Sequence, residues 1–266
     1  MREKKNIIFT FDYELFLGQK SGTVQECLVK PTEKILEILT GHKIKGIFFV
    51  DTTYLMALRK VSLSAPLAEK DLNIIFVQLR NLIRKGHYIF PHLHPHWLDA
   101  VYLPQANEWQ LNDLSKYRFH NLDDNQRHYL FNGAIELLAE IILPINPDYR
   151  IEAYRAGGWS LEPFSDCKPF FEKFNIKYDF SVLQKMSQFS TAHYFDYSEI
   201  PKGLNIYRFQ DRAKHENING NFIEFCVSSL RLNKTTNILN KIWLKIINKI
   251  YNFRNYKPGI GVVFDL

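Results

Sequence analysis

The stretch Gly86-His87-Tyr88-Ile89-Phe90-Pro91-His92-Leu93-His94-Pro95-His96-Trp97 begins as a β-rich run and ends in three histidines at alternate positions. Just before it, from Lys70 to Lys85, Leu72, Ile75, Phe76, Leu79, Leu82 and Ile83 recur at helical period. A helix feeding a strand is half of a βα unit, and the alternation repeats outward from here. Upstream, strands are predicted at 6–12 and 46–51. Between them Pro31-Thr32 opens a helix that carries Ile35, Leu36, Ile38 and Leu39 on one face and closes at Gly41. Downstream, strands at 150–155 and 177–182 alternate with helices over 124–143, stopped by Pro144, and over 163–174. Residues 97–120, rich in Asn, Tyr and Trp without a clean period, read as a long loop beside the histidines. The pattern predicts an α/β fold with parallel strands in a sheet or barrel, as one domain over residues 1–266.

Composition narrows the function classes. With 46% of its 266 residues apolar, the chain can bury a full core. A formal charge of +6 without a long Lys/Arg block calls for no nucleic acid and leaves acidic glycans and lipid head groups as compatible partners. Cys27, Cys167 and Cys226 form neither a CxxC nor a disulfide framework, so reduced thiols and a cytoplasmic location are expected. Met1 to Lys5 runs straight into the first strand, with no room for a signal peptide, and no apolar run of about 18 residues predicts a spanning helix.

Imidazole is the commonest biological metal ligand, and three histidines within five residues beside Trp97 point to a divalent ion. His92 and His96, four apart, reach one ion if the chain turns helically after the strand; His94 joins only if the chain stays extended. The first strand ends in Thr10-Phe11-Asp12-Tyr13-Glu14, where alternation puts Asp12 and Glu14 on one side. Two carboxylates at a strand end can divide metal binding from proton transfer. Taken singly, such acids are more often turn or cap residues; the histidines favour the functional reading.

These residues resemble a family, the polysaccharide deacetylases of the NodB-homology type, carbohydrate esterase family 4. Thr10-Phe11-Asp12 looks like the start of its Thr-Phe-Asp-Asp-Gly motif, and Gly46-Ile47-Phe48-Phe49-Val50 is similar to the strand that follows. Gly86-His87 with His92-x-x-x-His96 resembles its metal motif, Tyr154-Arg155-Ala156-Gly157-Gly158-Trp159 its Arg-Pro-Pro segment, and Tyr178-Asp179-Phe180-Ser181-Val182 its later Tyr-Asp-x-Ser-Val strand. The five occur in family order over residues 6 to about 185.

The resemblance implies a distorted (β/α)7 barrel of the glycoside hydrolase/deacetylase type, incomplete at the C-terminus if the chain is truncated. It implies one divalent ion, zinc first, with cobalt, nickel or manganese as alternatives, and an acetylated carbohydrate as substrate. By the same resemblance Asp12 is the general base, Arg155 its partner, and Asp179 the residue that orients a late histidine. Tyr13 stands where the family has its second Asp, so Glu14 becomes the candidate carboxylate ligand beside His92 and His96. The exchanged assignment, with Asp12 as ligand and Glu14 as base, stays open. Trp97 and Trp159 are candidate sugar platforms, and His94 is left to line the pocket.

The family's late histidine is not found: His193 and His215 do not lie at the end of an apolar strand. Residues 259–266 read as a closing strand that stops at Leu266, which suggests a truncated product whose parent continues with His. Without that acid, a degenerate metal-bearing glycan-binding protein is the alternative; a metal-dependent phosphoesterase is a further one, from His92-Leu93-His94. Near 237–252, an apolar stripe from Ile238 to Tyr251 faces away from Lys241, Lys245 and Lys249. It reads as a helix docked on the barrel, or as one touching anionic membrane over 238–251. Residues 216–225 read as a hairpin turning at Asn219-Gly220. The sequence leaves the oligomeric state open.

Overall fold

The computed structural model describes residues 6–16, 21–111, 113–190 and 193–228. In chain order it contains β1 (Thr10–Tyr13), α1 (Lys30–Gly41), β2 (Ile47–Asp51), α2 (Thr52–Ser62), α3 (Pro66–Arg84) and β3 (Tyr88–Leu93). Then follow β4 (Val101–Leu103), β5 (Glu108–Gln110), α4 (Asp124–Ile142), β6 (Ala153–Ala156), α5 (Lys168–Phe174) and β7 (Tyr178–Asp179). The described part closes with β8 (Ser187–Phe189), β9 (Tyr194–Asp196), β10 (Ile206–Phe209) and β11 (Phe222–Phe225). The basic stretch at 238–251 and the expected closing strand at 259–266 lie outside the described residues.

Seven strands form one sheet in the order β1-β2-β3-β6-β7-β11-β10, parallel except where β10 runs antiparallel to β11. No pairing joins the two edge strands among the described residues, so the expected barrel is not closed there. It is strongly curled. Arg155 on β6 donates to Thr10 Oγ1 of β1 at 2.8 Å, although β2 and β3 stand between the two strands. In a flat sheet three strand spacings are about 14 Å, twice what an arginine side chain reaches. Phe49 on β2 likewise meets Phe180, just past β7, at 5.2 Å between ring centroids. The concave interior is filled by Phe49, Phe90, Ala153 and Phe180, with Phe225 stacked on Phe180 at 4.9 Å.

The helices cover the convex side. Leu36 and Leu39 of α1, Leu55 and Leu58 of α2, Ile75, Leu79 and Leu82 of α3, and Leu138 and Ile141 of α4 pack in one core with Phe48, Val50 and Ile89. A second core, around Phe131, Tyr154, Phe164, Phe171, Phe209 and Phe222, holds the later units together. Helix α4 starts on a capping box in which Asp123 and Gln126 satisfy each other's backbone N–H groups.

Three local expectations are corrected. Helix α2, for which the pattern predicts no element, begins because Asp51 caps it through the Tyr54 N–H at 3.1 Å. The 97–120 loop contains a 3-10 turn at Pro95–Asp99 and the β4–β5 hairpin, whose Trp109 packs on Tyr54 and Trp97. Residues 216–225 do not fold on themselves: β11 pairs with β10, and Asn217 to Gly220 make the turn that enters β11.

Candidate metal centre

The C-terminal ends of the parallel strands converge, the usual place for a site in α/β sheets. Strand β1 alternates as expected: Tyr13 points into the core, 3% exposed, and donates to Gln78 Oε1 at 2.8 Å, while Asp12 and Glu14 take the other side. Strand β3 delivers His92 opposite Arg155 of β6 in parallel register. The chain then stays extended through His94, with φ −115° and ψ 86°, before Pro95 starts the 3-10 turn. His92 and His94 therefore project to the same side, as alternate residues of extended chain do.

Glu14, His92 and His94 form a group that can hold a metal ion. Glu14 Oε2 lies 2.8 Å from His94 Nε2 and 3.2 Å from His92 Nε2, and the two ring nitrogens are 2.9 Å apart. Ligand atoms around a tetrahedral zinc, bonded at about 2.0–2.1 Å, stand about 3.3 Å from one another, so the spacing fits one shared ion. The tautomer fits too. His92 Nδ1 sits 2.8 Å from the Arg155 carbonyl and donates its N–H there, leaving the Nε2 lone pair aimed at the centre. Burial disfavours a charged His92, but Asp12 and Glu14 outweigh it and bring its pKa up to about 9. Glu14 moves the opposite way: burial would raise it, yet the charges and hydrogen bonds of His94 and His92 hold it well below the carboxylate range. A field that favours positive charge this strongly attracts a proton and a metal cation alike.

The expected ligand pair of His92 and His96, with His94 left to line the pocket, is thereby corrected: His94, not His96, stands with Glu14 and His92. The 3-10 turn carries His96 back onto Tyr117, which it stacks at 5.0 Å with planes 6° apart. Among the described residues neither ring nitrogen of His96 has a hydrogen-bond partner, and burial with the nearby His94 charge pushes its pKa down to about 3. Room for His94 depends on Gly157, where a Cβ would fall 2.2 Å from the Leu93 carbonyl oxygen and 3.0 Å from His94 Nδ1.

Arg155 organises the other carboxylate. Its Nη1 donates to Asp12 Oδ1 at 2.5 Å and its Nε to the Phe180 carbonyl at 3.0 Å, and the guanidinium lies 4.3 Å above the Phe49 ring. The charge-assisted pair fixes Asp12 with about a quarter of its side chain still open to solvent, 27%. Asp179 is fully buried and accepts from Ser181 N and Oγ at 2.8 and 3.0 Å. Its neighbour across the strand register is Glu224, also fully buried, rather than a histidine.

Trp97 does not face a ligand. It is 1% exposed, wedged between Tyr54 and Trp109, and its indole N–H donates to Asp51 Oδ2 at 2.6 Å. Trp159 is half-buried at the rim, with φ +56° directly after Gly158 at φ +59°. A bulky residue in the left-handed region costs about 1–2 kcal/mol, so the surrounding contacts hold this turn in place. One of them is the Tyr197 hydroxyl, which donates to the Trp159 carbonyl at 2.7 Å.

Of four further neighbours of the centre, Thr10 and His193 enter the sequence reading only as a motif residue and as a late histidine set aside, and Asp51 and Tyr117 carry no signal there. Thr10 holds Arg155, and Asp51 lies under the histidines, its pKa pushed up to about 6 by burial against the lowering charges of His94 and His92. Tyr117 comes from an irregular segment and meets His94 at 5.3 Å; His193, from the β8–β9 loop, meets Tyr117 at 5.8 Å and Trp159 at 5.9 Å.

No protein-family model matches the sequence, and no curated protein matches it. The fold is similar to a crystal structure described as that of a "putative polysaccharide deacetylase from Mycobacterium smegmatis", at 14% identity and a TM-score of 0.42, over 92% of this chain and 72% of that one. No helix among the described residues is long and apolar enough to cross a membrane.

Proposed function

We propose that this chain is a metal-dependent hydrolase that removes acetyl groups from an acetylated carbohydrate. The observation that carries the reading is one constellation: Glu14 Oε2, His92 Nε2 and His94 Nε2 within 3.2 Å of one another, beside the carboxylate of Asp12, two residues before Glu14 and pinned by Arg155. Two imidazoles and one carboxylate form a catalytic rather than a structural donor set, because they leave a coordination position open. When bound, a divalent ion supplies Lewis acidity toward an acetyl carbonyl and makes water acidic enough to attack near neutral pH.

The remaining roles belong to the chain. Asp12, oriented by the Arg155 guanidinium, accepts the proton of the attacking water. The carboxylate Glu14 stays with the two histidines as third ligand. Backbone N–H groups of the strained Gly158-Trp159 turn are the chain's candidates to steady the developing oxyanion. Trp159 offers a sugar platform at the rim, and His193 beside it is the candidate to return a proton to the leaving group. Zinc is the ion that the donor set suits best, with cobalt, nickel and manganese as alternatives.

Acetate release from N- and O-acetylated oligosaccharides tests the proposal. Release that is abolished by chelator, restored by zinc and lowered at least 100-fold by Asp12→Asn is the expected outcome. Tight zinc binding with no acetate from any acetylated glycan would refute the hydrolase and leave a glycan-binding protein with a metal-bearing site.

A further inference from the structure

Beside the centre, two segments run outward in step. Tyr117 contacts His193, and the next residue on each segment forms the next contact: the Arg118 guanidinium lies 4.8 Å over the ring of Tyr194. Tyr117 itself rests on His94 and His96, so this second pair stands one step out from the metal ligands. Among the described residues Arg118 makes no salt bridge and no side-chain hydrogen bond, and its Nε is shielded from solvent without a partner. Lys116, two residues away, is by contrast paired with Asp99 at 2.9 Å. Around Arg118 the surface is aromatic: Tyr194 is 51% exposed, and Phe189 at 61% meets it edge-on at 5.3 Å. Half-buried Trp159, which contacts His193, continues the aromatic surface back toward the centre.

An arginine held over an aromatic ring, its N–H groups without salt bridge or hydrogen bond among the described residues, offers the planar fork that matches the two oxygens of a carboxylate or phosphate. Exposed ring faces beside it suit the C–H face of a sugar. The chain's formal charge of +6 favours the approach of anionic molecules.

We propose that Arg118, Tyr194 and Phe189 form a subsite for an anionic sugar residue, one bearing a carboxylate or a phosphate, next to the residue that enters the metal centre. This assignment rests on the deacetylase reading for the identity of the neighbouring site, but the subsite itself is a binding site and is measurable without turnover.

Calorimetric titration of the full chain with three oligosaccharides of equal length tests it: neutral, carboxylated and phosphorylated. An anionic ligand should bind about 10- to 100-fold more tightly than the neutral one, the range for a hydrogen bond to a charged group. The anion giving the larger gain identifies the source of the oxyanion. Arg118→Gln should erase the preference while leaving neutral-ligand affinity within about twofold; Arg118→Lys, which keeps the charge but not the planar fork, should restore only part of it. Tyr194→Leu, which removes the ring but not the guanidinium, should weaken all three ligands. Equal binding of neutral and anionic ligands by the unaltered chain, or a preference that survives Arg118→Gln, overturns the proposal. Preferential binding lost in Arg118→Gln, in a protein that releases no acetate, upholds the subsite and refutes the deacetylase.

Discussion

Replacing His94 and His96 in turn by Phe discriminates between the ligand set that the geometry assembles and the one that the His-x-x-x-His spacing implies. Both rings are buried, at 2% and 1% exposure, so Phe keeps most of the packing in either place. Structural zinc with four ligands binds with about 10–16 kcal/mol, or roughly 3 kcal/mol per ligand, so losing His94 should weaken zinc by about two orders of magnitude or more. His96→Phe keeps the stack on Tyr117 and removes two buried nitrogens that have no partner. Relieving an unsatisfied buried group is worth about 1–3 kcal/mol, so this variant should match or exceed the parent's stability while binding zinc unchanged.

Competition against a chromophoric chelator gives the affinities, and thermal melts with and without zinc give an independent reading. At a zinc concentration 1,000 times Kd the parent gains about 4 kcal/mol, which for a chain of this size is a rise of roughly 8–16 °C in Tm. At the same concentration a 300-fold weaker His94→Phe retains about 0.9 kcal/mol, a rise of about 2–3.5 °C. The opposite result, a zinc-dependent rise kept by His94→Phe and lost by His96→Phe, would refute the assignment and restore His92 and His96 as the pair.

Gly157→Ala should reduce zinc affinity about 10- to 100-fold without touching a ligand, because the new methyl meets the Leu93 carbonyl and pushes on His94; chelator competition at constant fold, monitored by circular dichroism, checks it. Arg155→Met should lower stability by roughly 2–4 kcal/mol in urea unfolding, since it leaves Thr10, the Phe180 carbonyl and Asp12 without their shared donor; an m-value like the parent's with no drop in midpoint would contradict this. The Asp179–Glu224 pair makes stability pH-dependent. Burial raises both carboxyls, and the charge and hydrogen bond of Asp179 raise Glu224 further, well above its usual value. The folded chain then holds protons that the unfolded chain releases, so this contribution is full below the ordinary carboxyl pKa and is lost as pH rises from there through the raised values. Glu224→Gln, which keeps a hydrogen-bond donor and cannot ionise, should flatten the decline; an unchanged slope between pH 5 and 8 would show that the pair is not its source.

The parallel architecture was legible because its strands and helices carry uninterrupted periods, from Ile47–Asp51 to the apolar stripe of α3. The α2 start was missed because Asp51 ends a strand and caps a helix with no loop between, so the turn signals that separate elements are absent. The candidate residues came out unevenly for a physical reason. Asp12 and Arg155 stand on strands and Glu14 directly follows β1, where alternation of extended chain decides the facing side. His94 and His96 lie where a strand gives way to a turn, and sequence spacing alone does not say on which residue the period changes; Pro95 decides it. Trp97, a candidate sugar platform in the sequence, packs instead, because its neighbours in space, Tyr54 and Trp109, come from segments far apart in the chain.

Arg155 shows why the two halves of the centre are coupled. Its carbonyl fixes the tautomer of His92, and its guanidinium fixes Asp12, so a single residue on β6 orients a candidate metal ligand through its main chain and the candidate base through its side chain. The same guanidinium bridges β1 to the end of β7 across the concave face, and this bridge exists only because the sheet curls. Curling in turn depends on the Phe49, Phe90 and Phe180 rings that fill the interior. A change in that aromatic filling, such as Phe49→Leu, should therefore reach the centre without contacting Glu14, His92 or His94. The expected signature is an acetate-release rate that falls further than zinc affinity does, because the two histidines come from the end of β3 and the residue directly after it, whereas the Asp12–Arg155 pair spans the curl.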